Sequence, residues 1–578
     1  MHRRRAHPLA LVGRRALERL AGRPAGGTDY AVTRDLRTPL RDGVELLGDL
    51  YRPRGSGPLP VVLIRTPYGR TTLLGRLFAV VLARRGFQVF VQSVRGTFGS
   101  GGSFRPYTAE HEDGLDTLAW VRAQRWCDGR VATTGGSYFG HTQWAVAPYA
   151  DPPLVASSLH ITGARVRDIL AEHGAPVAIN GLGWSDSLAR QELPFASRLL
   201  GGFRRRRRLV AALATRPARE ADVVLTGTPS TFWRDLADHN VPEDPFWDVA
   251  DHDAAPLDRM PPVNMVTGWW DLFLEPQLRD VTRLQAAGVP TRITVGPWLH
   301  GATPEMKELL RSDIEWLEHH LHGGPAPQGP PVRLFLQEAD TWLGFEHWPP
   351  EGTVLEERFL HPDRSLDPAP PEGAAGPSTF VFDPDDPTPF AGGPLLAPHG
   401  LQADDRAAED RPDVLVFTGG VEPTDLDLVG EIGATVFVRP EVEYADVFVR
   451  LCDVDPRGVS RNVVEGIRRL DPRTVPAQDV AVGEDGVLAV QVELFPTAYR
   501  IRAGHRLRVV VAGGAFPRYA VNLGVPGPQA DALTGRPNRI EVFHDAPHPS
   551  RLHLARLRPG SRHAAPGAPT SGGSPDPA

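Results

Sequence analysis

The run Val131-Ala-Thr-Thr-Gly-Gly-Ser-Tyr-Phe-Gly-His-Thr-Gln-Trp-Ala-Val-Ala-Pro-Tyr149 constrains this chain more than any other stretch. A β-prone segment meets two glycines, then Ser137, then apolar residues at helical spacing. That pattern is a nucleophile elbow, a sharp strand-to-helix turn that holds a serine hydroxyl up for attack. A serine hydroxyl is a poor nucleophile at neutral pH. The rest of the chain must therefore supply a base, a carboxylate to orient it and donors for a developing oxyanion.

The surroundings of the turn fit a parallel sheet. Pro60-Val-Val-Leu-Ile-Arg-Thr66, Phe87-Gln-Val-Phe-Val-Gln-Ser-Val94 and Leu154-Val-Ala-Ser-Ser-Leu-His-Ile161 are strand-like. Thr72 to Arg85 and Ala109 to Gln124 have helical spacing. Strands alternating with helices of this length imply a sheet with helices on both faces. The alternation breaks between 165 and 259, a helical but irregular stretch, and resumes afterwards. Val263-Asn-Met-Val-Thr-Gly268 and Thr291-Arg-Ile-Thr-Val-Gly-Pro-Trp298 are again strands, followed by helices over Pro276 to Ala287 and Glu305 to Leu321. An insertion at such a place most often caps an active site.

Beyond the Pro/Gly-rich linker Gly323 to Pro331, helical periods nearly vanish. Short strands such as Val332 to Gln337, Val436 to Val438, Asp446 to Leu451 and Arg506 to Val511 alternate with turn residues. This implies an all-β jelly-roll sandwich. At 578 residues, several cores are expected. The expected division is a basic leader (1–28), an α/β-hydrolase core in two parts (29–164 and 260–323), a helical cap (165–259), a jelly roll (332–557) and a disordered tail (558–578).

Charge and cysteine usage exclude some classes. A net charge of −7 argues against a nucleic-acid partner. Only Cys127 and Cys452 occur, in different expected domains, so a disulfide is not expected and a reducing, cytoplasmic setting is the default. No apolar run is long enough to span a membrane. The leader's apolar run is too short for a signal-peptide core. The five arginines from Arg204 to Arg208 could form an anion site, but a solvated helix face is the expected reading.

Acid and base should lie just past strand ends, in the chain order Ser, Asp, His. Asp271 follows one strand in Gly268-Trp-Trp-Asp, and His300 follows the next in Gly296-Pro-Trp-Leu-His. Order and position together single them out. His141 sits on the elbow helix and should project away from Ser137. His319, His320 and His322 lack carboxylate or cysteine ligands at metal spacing, so neither a metal nor a cofactor is expected. The backbone N–H of Tyr138 is the expected oxyanion donor. The elbow departs from the simple G-x-S-x-G form, because Phe139 replaces the second glycine and Gly140 comes one later.

Gly135-Gly-Ser-Tyr-Phe-Gly140 resembles the G-x-S-Y-x-G elbow of the cocaine esterase/X-Pro dipeptidyl-peptidase (CocE/NonD) group of α/β-hydrolases. The resemblance runs from about Tyr30 to Leu554. It includes Arg41-Asp-Gly-Val44, Tyr51-Arg-Pro53, the Arg95 to Ser103 loop, both triad motifs, Phe382-Asp-Pro-Asp-Asp-Pro387 and Asp446 to Asp453. It implies an α/β-hydrolase core, a helical cap and a jelly roll. Arg65-Thr-Pro-Tyr-Gly69 is similar to the loop whose tyrosine, here Tyr68, helps form the oxyanion hole. One departure is visible. The family often has an Asp where Ser93 stands, two residues before the loop arginine, with a small effect expected on loop anchoring.

The resemblance implies a serine hydrolase of either esters or peptides. Members acting on α-amino esters carry acids at +2 and +3 from the catalytic Asp; here those positions are Phe273 and Leu274, and the first acid is Glu275. Phe273 resembles the acyl pocket of the esterase branch, and Trp270 and Trp298, with Trp269, add aromatic surface. Ester hydrolysis is the favoured expectation. The alternative is an X-Pro dipeptidyl-peptidase or related aminopeptidase or amidase, with Glu172 or Glu192 of the cap as amine-binding candidates. A non-catalytic binding protein is disfavoured by the intact Ser137, Asp271 and His300. The expected partner is a small ester or short peptide, with room for a homodimer.

Overall fold

The computed structural model describes residues 27–193, 205–241, 244–396, 401–472, 475–476, 478–561 and 563–564. Nearly all of the basic leader, most of the tail and Arg204 lie outside them.

The first sheet is built from β1 (Tyr30–Pro39), β2 (Glu45–Pro53), β3 (Leu59–Thr66), β4 (Gln88–Ser93), β5 (Cys127–Gly136) and β6 (Ser157–His160). A short ribbon, β7 (Ala171–Glu172) and β8 (Ala175–Pro176), interrupts it, and β9 (Val263–Trp270), β10 (Thr291–Leu299), β11 (Val332–Leu336) and β12 (Thr341–Phe345) complete it. Their spatial order is β1-β2-β4-β3-β5-β6-β9-β10-β11-β12, with His563–Ala564 at the β12 edge. From β4 through β11 all neighbours are parallel; the flanking pairs are antiparallel.

The central strands show why they read as unbroken apolar runs. Every residue of β4 and β9 is buried, as expected of strands covered on both faces. Val62 and Ile64 of β3 pack with Leu77, Phe78 and Leu82 of helix Leu73–Ala83 and with Leu310, Ile314 and Leu317 of helix Thr303–His322. Val61 and Leu63 face the other way, toward Leu118 and Val121 of helix Glu110–Arg122 and Leu278 and Val281 of helix Leu274–Ala286. Each such aliphatic side chain contributes about 1.5–3 kcal/mol by burial.

One strand past the expected boundary joins the first sheet. The sequence places Val332 at the start of the β domain. In the structure β11 pairs in parallel with β10, Ile293 opposite Val332, and so continues the first sheet. The Gly323–Pro331 linker thus returns the chain from helix Thr303–His322 to that sheet. Largely antiparallel strands from Thr353 onward form a second, 12-stranded sheet.

Between β6 and β9 the chain forms helices Arg167–Leu170, Ala178–Arg190, Arg205–Leu213, Ala221–Thr226 and Thr231–Asp238, with 3₁₀ turns. Arg205 to Arg208 are exposed, with Arg205 on Asp186 at 2.9 Å and Arg208 donating to the Leu225 carbonyl at 3.0 Å. Cys127 and Cys452 are both buried and free. No helix among the described residues is long and apolar enough to cross a membrane.

Candidate active site

Strand β5 ends at Gly136 and helix Tyr138–Trp144 begins one residue past Ser137. Ser137 alone makes the turn, at φ 60° and ψ −128°. A non-glycine residue held there costs about 1–3 kcal/mol and persists only when its surroundings enforce it. They do. The Ser137 amide donates to the carbonyls of His160 and Ile161, both at 3.0 Å, tying the turn to the end of β6.

The displaced glycine has a steric explanation. A Cβ on Gly140 would lie 2.5 Å from Thr162 Cβ, so the elbow helix leans on the segment after β6 at that position. A Cβ on Gly135 would lie 2.5 Å from Phe139 Cβ, so Phe139 occupies the room that Gly135 leaves. Gly140→Ala should therefore push the helix off Thr162. The expected result is about 1–3 kcal/mol of lost stability and a 10- to 100-fold lower kcat from a misplaced Ser137. Thermal melting beside ester kinetics checks this; an unaffected variant would show that the contact is not tight.

Asp271 follows β9 and is fully buried. Its Oδ1 accepts from the Phe273 amide at 2.8 Å, and its Oδ2 lies 2.8 Å from His300 Nδ1. His300 Nε2 lies 3.2 Å from Ser137 Oγ. The structure thus brings Ser137, His300 and Asp271 into one hydrogen-bonded line. A register shift between Gly296 and Leu299 of β10 precedes the histidine, and irregularities of this kind re-aim side chains next to functional sites.

The same irregularity sets the direction of Trp298. Its indole folds over Gly296, where a Cβ would lie 2.5 Å from Trp298 Cε2, and the ring packs 6.1 Å from that of Trp342. Trp270 belongs to the main core, and its indole donates to Gln337 Oε1 at 3.0 Å. Neither tryptophan forms part of the apolar cluster around Phe273. The Phe273 ring centroid lies 5.5 Å from that of His300, and Phe273 is buried with Ile169 and Leu272, against which Leu170 and Leu396 pack. Leu170 also lines a cavity of about 900 Å³ between the insertion and the β domain.

Tyr68 also meets Ser137. The Ser137 side chain lies against its hydroxyl, which accepts from the Trp184 indole at 3.2 Å. Burial pushes the Tyr68 phenol up to about 12. Tyr138 is the first residue of the elbow helix, so no helical carbonyl can satisfy its amide. Its side chain is locked from behind. Its hydroxyl donates to Glu110 Oε1 at 2.8 Å and accepts from the Tyr107 amide at 2.8 Å. Glu110 in turn pairs with buried Arg65 at 3.0 Å. Burial raises the pKa of Glu110 even so.

Other candidates fall elsewhere. His141 packs against Tyr107, Tyr138 and His252, and burial lowers its pKa well below the usual imidazole value. Ser93 Oγ accepts from the Arg70 amide at 3.2 Å, while Asp49 holds the Arg70 side chain. Arg95 is bidentate on Asp113, at 2.9 and 2.6 Å. The loop is thus anchored without an acid at 93. Glu172 is gripped by Arg518, at 2.7 and 2.9 Å, and by Tyr519. Glu192 accepts from the Phe98 amide at 3.0 Å.

His173, Glu275 and Glu493 bring potential metal-ligand atoms within 4.8 Å, the one such trio found among the described residues. Burial, then the carboxylates of Glu172 and Glu493, pushes Glu275 up to about 8, although 37% of its side chain is exposed. The Arg468 guanidinium acts on His173, Glu275 and Glu493, so a cation already faces this group. Sequence reasoning missed Trp184, whose role depends on a tertiary contact. Glu305, early in helix Thr303–His322, accepts from the Gly301 amide at 2.7 Å, a contact whose capping signal was readable in the sequence.

The comparisons agree with this architecture. The X-Pro dipeptidyl-peptidase (S15 family) profile matches residues 42–302, and that of the X-Pro dipeptidyl-peptidase C-terminal non-catalytic domain matches residues 326–553. A cocaine esterase of Rhodococcus sp. (strain MB1 Bresler) is 28% identical over 573 residues, covering 92% of this chain and 99% of that protein. Two solved structures share the fold at 22% identity, each covering 93% of this chain and 98% of its own. They are an aminopeptidase from a marine sediment Thaumarchaeota archaeon, with a TM-score of 0.74, and an α-amino acid ester hydrolase, with a TM-score of 0.72. With both family profiles matched in tandem, this chain belongs to the cocaine esterase/X-Pro dipeptidyl-peptidase family and is a serine hydrolase.

Proposed function

We propose that the protein hydrolyses carboxylic esters through an acyl-enzyme on Ser137. The observation that carries this reading is the line Ser137–His300–Asp271 with apolar Phe273, not a carboxylate, beside the histidine. At 3.2 Å, His300 Nε2 is within general-base reach of the hydroxyl. It takes the Ser137 proton as Oγ attacks the acyl carbon. Asp271 holds the imidazole by Nδ1 and stabilises its cation. The carbonyl oxygen becomes an oxyanion that accepts from the Tyr138 N–H and the Tyr68 hydroxyl. The departing alkoxide takes the proton from His300. Water then gives His300 a proton and attacks the acyl carbon, and Ser137 leaves with that proton.

The insertion acts as a cap in this reading. It supplies Trp184 to the Tyr68 hydroxyl and Ile169 and Leu170 to the Phe273 wall. The core extends through Phe345, and the strands beyond Thr353 are the jelly-roll domain.

Peptide or α-amino ester cleavage needs a carboxylate for the substrate ammonium. Glu172 and Glu192 already have partners. Glu275 and Glu493 are the acids that keep this second reading open. An aryl ester and a Pro-containing dipeptidyl anilide compared side by side should differ in kcat/KM by at least about a hundredfold in favour of the ester. The reverse ratio would replace the esterase reading with the peptidase one.

A further inference from the structure

Helix Thr303–His322 starts three residues after the base His300. Glu305, the third residue of that helix, turns back to the loop it came from. Its Oε2 accepts from the Gly301 amide at 2.7 Å. Glu305 is completely buried, its Oε1 has no hydrogen-bond partner and no ion pair reaches it among the described residues. Asp271, from the loop after β9, is the charged group that acts on it.

A glutamate at this helix position often satisfies an amide just before the helix. Such a cap works well at the surface. Burying an unpaired carboxyl beside a second carboxylate is costly, and a stability role alone does not call for it. The chain tolerates that cost at Glu305, whose carboxyl holds the amide of the residue following the histidine. We propose that Glu305 is a positioning residue for His300, fixing the loop that carries the imidazole through the Gly301 amide while leaving Asp271 as its one charged partner. This rests on the triad reading above.

The electrostatics agree with that geometry. Burial, reinforced by the Asp271 carboxylate, raises the Glu305 pKa well above the ordinary range, which favours its neutral form. The other acid on the buried face of this helix, Asp313, is held by Thr134 at 2.7 Å and His160 at 2.9 Å. A neutral Glu305 accepts from Gly301 without adding a second negative charge under the imidazole. An ionised Glu305 would place a second anion beside Asp271.

Glutamine keeps the acceptor and cannot ionise; alanine loses the acceptor. In the full-length chain, Glu305→Gln should retain kcat for an aryl ester within about twofold at neutral pH. Glu305→Ala should lose about 10- to 100-fold in kcat and in fluorophosphonate labelling rate, with KM nearly unchanged. If alanine prevents folding, Glu305→Met fills the space without an acceptor and should show the same kinetic split. Unimpaired Glu305→Ala or Glu305→Met, or a Glu305→Gln as poor as either, would each overturn the proposal. Wild-type protein that labels no faster than Ser137→Ala would overturn the triad reading and this inference together.

Discussion

Ser137→Ala should abolish fluorophosphonate labelling and lower aryl-ester turnover by about four to six orders of magnitude. The remaining activity would come from the oxyanion donors and substrate binding alone. KM should change little, because the hydroxyl bonds to the acyl carbon only as the reaction proceeds. The fold should survive, since the turn is held by backbone contacts. The Ser137 amide keeps its two carbonyl acceptors whatever side chain stands there. Alanine inherits the φ of 60°, whereas glycine adopts it without strain. Ser137→Gly should therefore melt above Ser137→Ala, by roughly 1 kcal/mol of stability. Residual turnover within tenfold of the wild type would place the nucleophile elsewhere. Equal melting of the two variants would show that the elbow is not strained.

Much of the site was legible because its constraints are local. Ser137 lies between glycines whose spacing follows from contacts within a few residues or with the adjoining strand end. Asp271 and His300 follow their strands directly, and strand ends are visible in hydrophobic pattern. What stayed hidden is set by partners far along the chain. Trp270 and Trp298 look like pocket residues because they flank the acid and the base. Their directions are fixed by Gln337 and Trp342, near β11 and on β12, which no local pattern connects to them. The same strands carry a second long-range pairing. The Pro/Gly linker before Val332 resembles a domain junction in composition, whereas pairing with β10 decides its place. Trp184 shows the limit from the other side. Its indole reaches a tyrosine 116 residues away, and nothing in its own helix announces that contact.

Tyr68→Phe should cost about 10²- to 10³-fold in kcat, the usual loss of one oxyanion donor, or about 3–4 kcal/mol. KM should hardly move, because the phenol donates to an oxygen that carries full charge only in the transition state. The pH dependence separates this role from others. Burial pushes the Tyr68 phenol up to about 12, so it stays protonated, and a donor, from neutral pH to well above it. The ratio of wild-type to Tyr68→Phe turnover should accordingly stay flat from neutral pH to near 10. A ratio that collapses across that range would mean that the phenol titrates and is not sheltered. A raised KM at unchanged kcat would assign Tyr68 to ground-state binding. The substitution also leaves the Trp184 indole without its acceptor, an unmade hydrogen bond worth about 1–3 kcal/mol where it is buried. Trp184→Phe isolates that contribution. It keeps the phenol and removes its donor, so it should lower stability with a much smaller loss of kcat. If both variants lost kcat equally, Tyr68 would act only when the insertion holds it, and the oxyanion site would be completed by the cap.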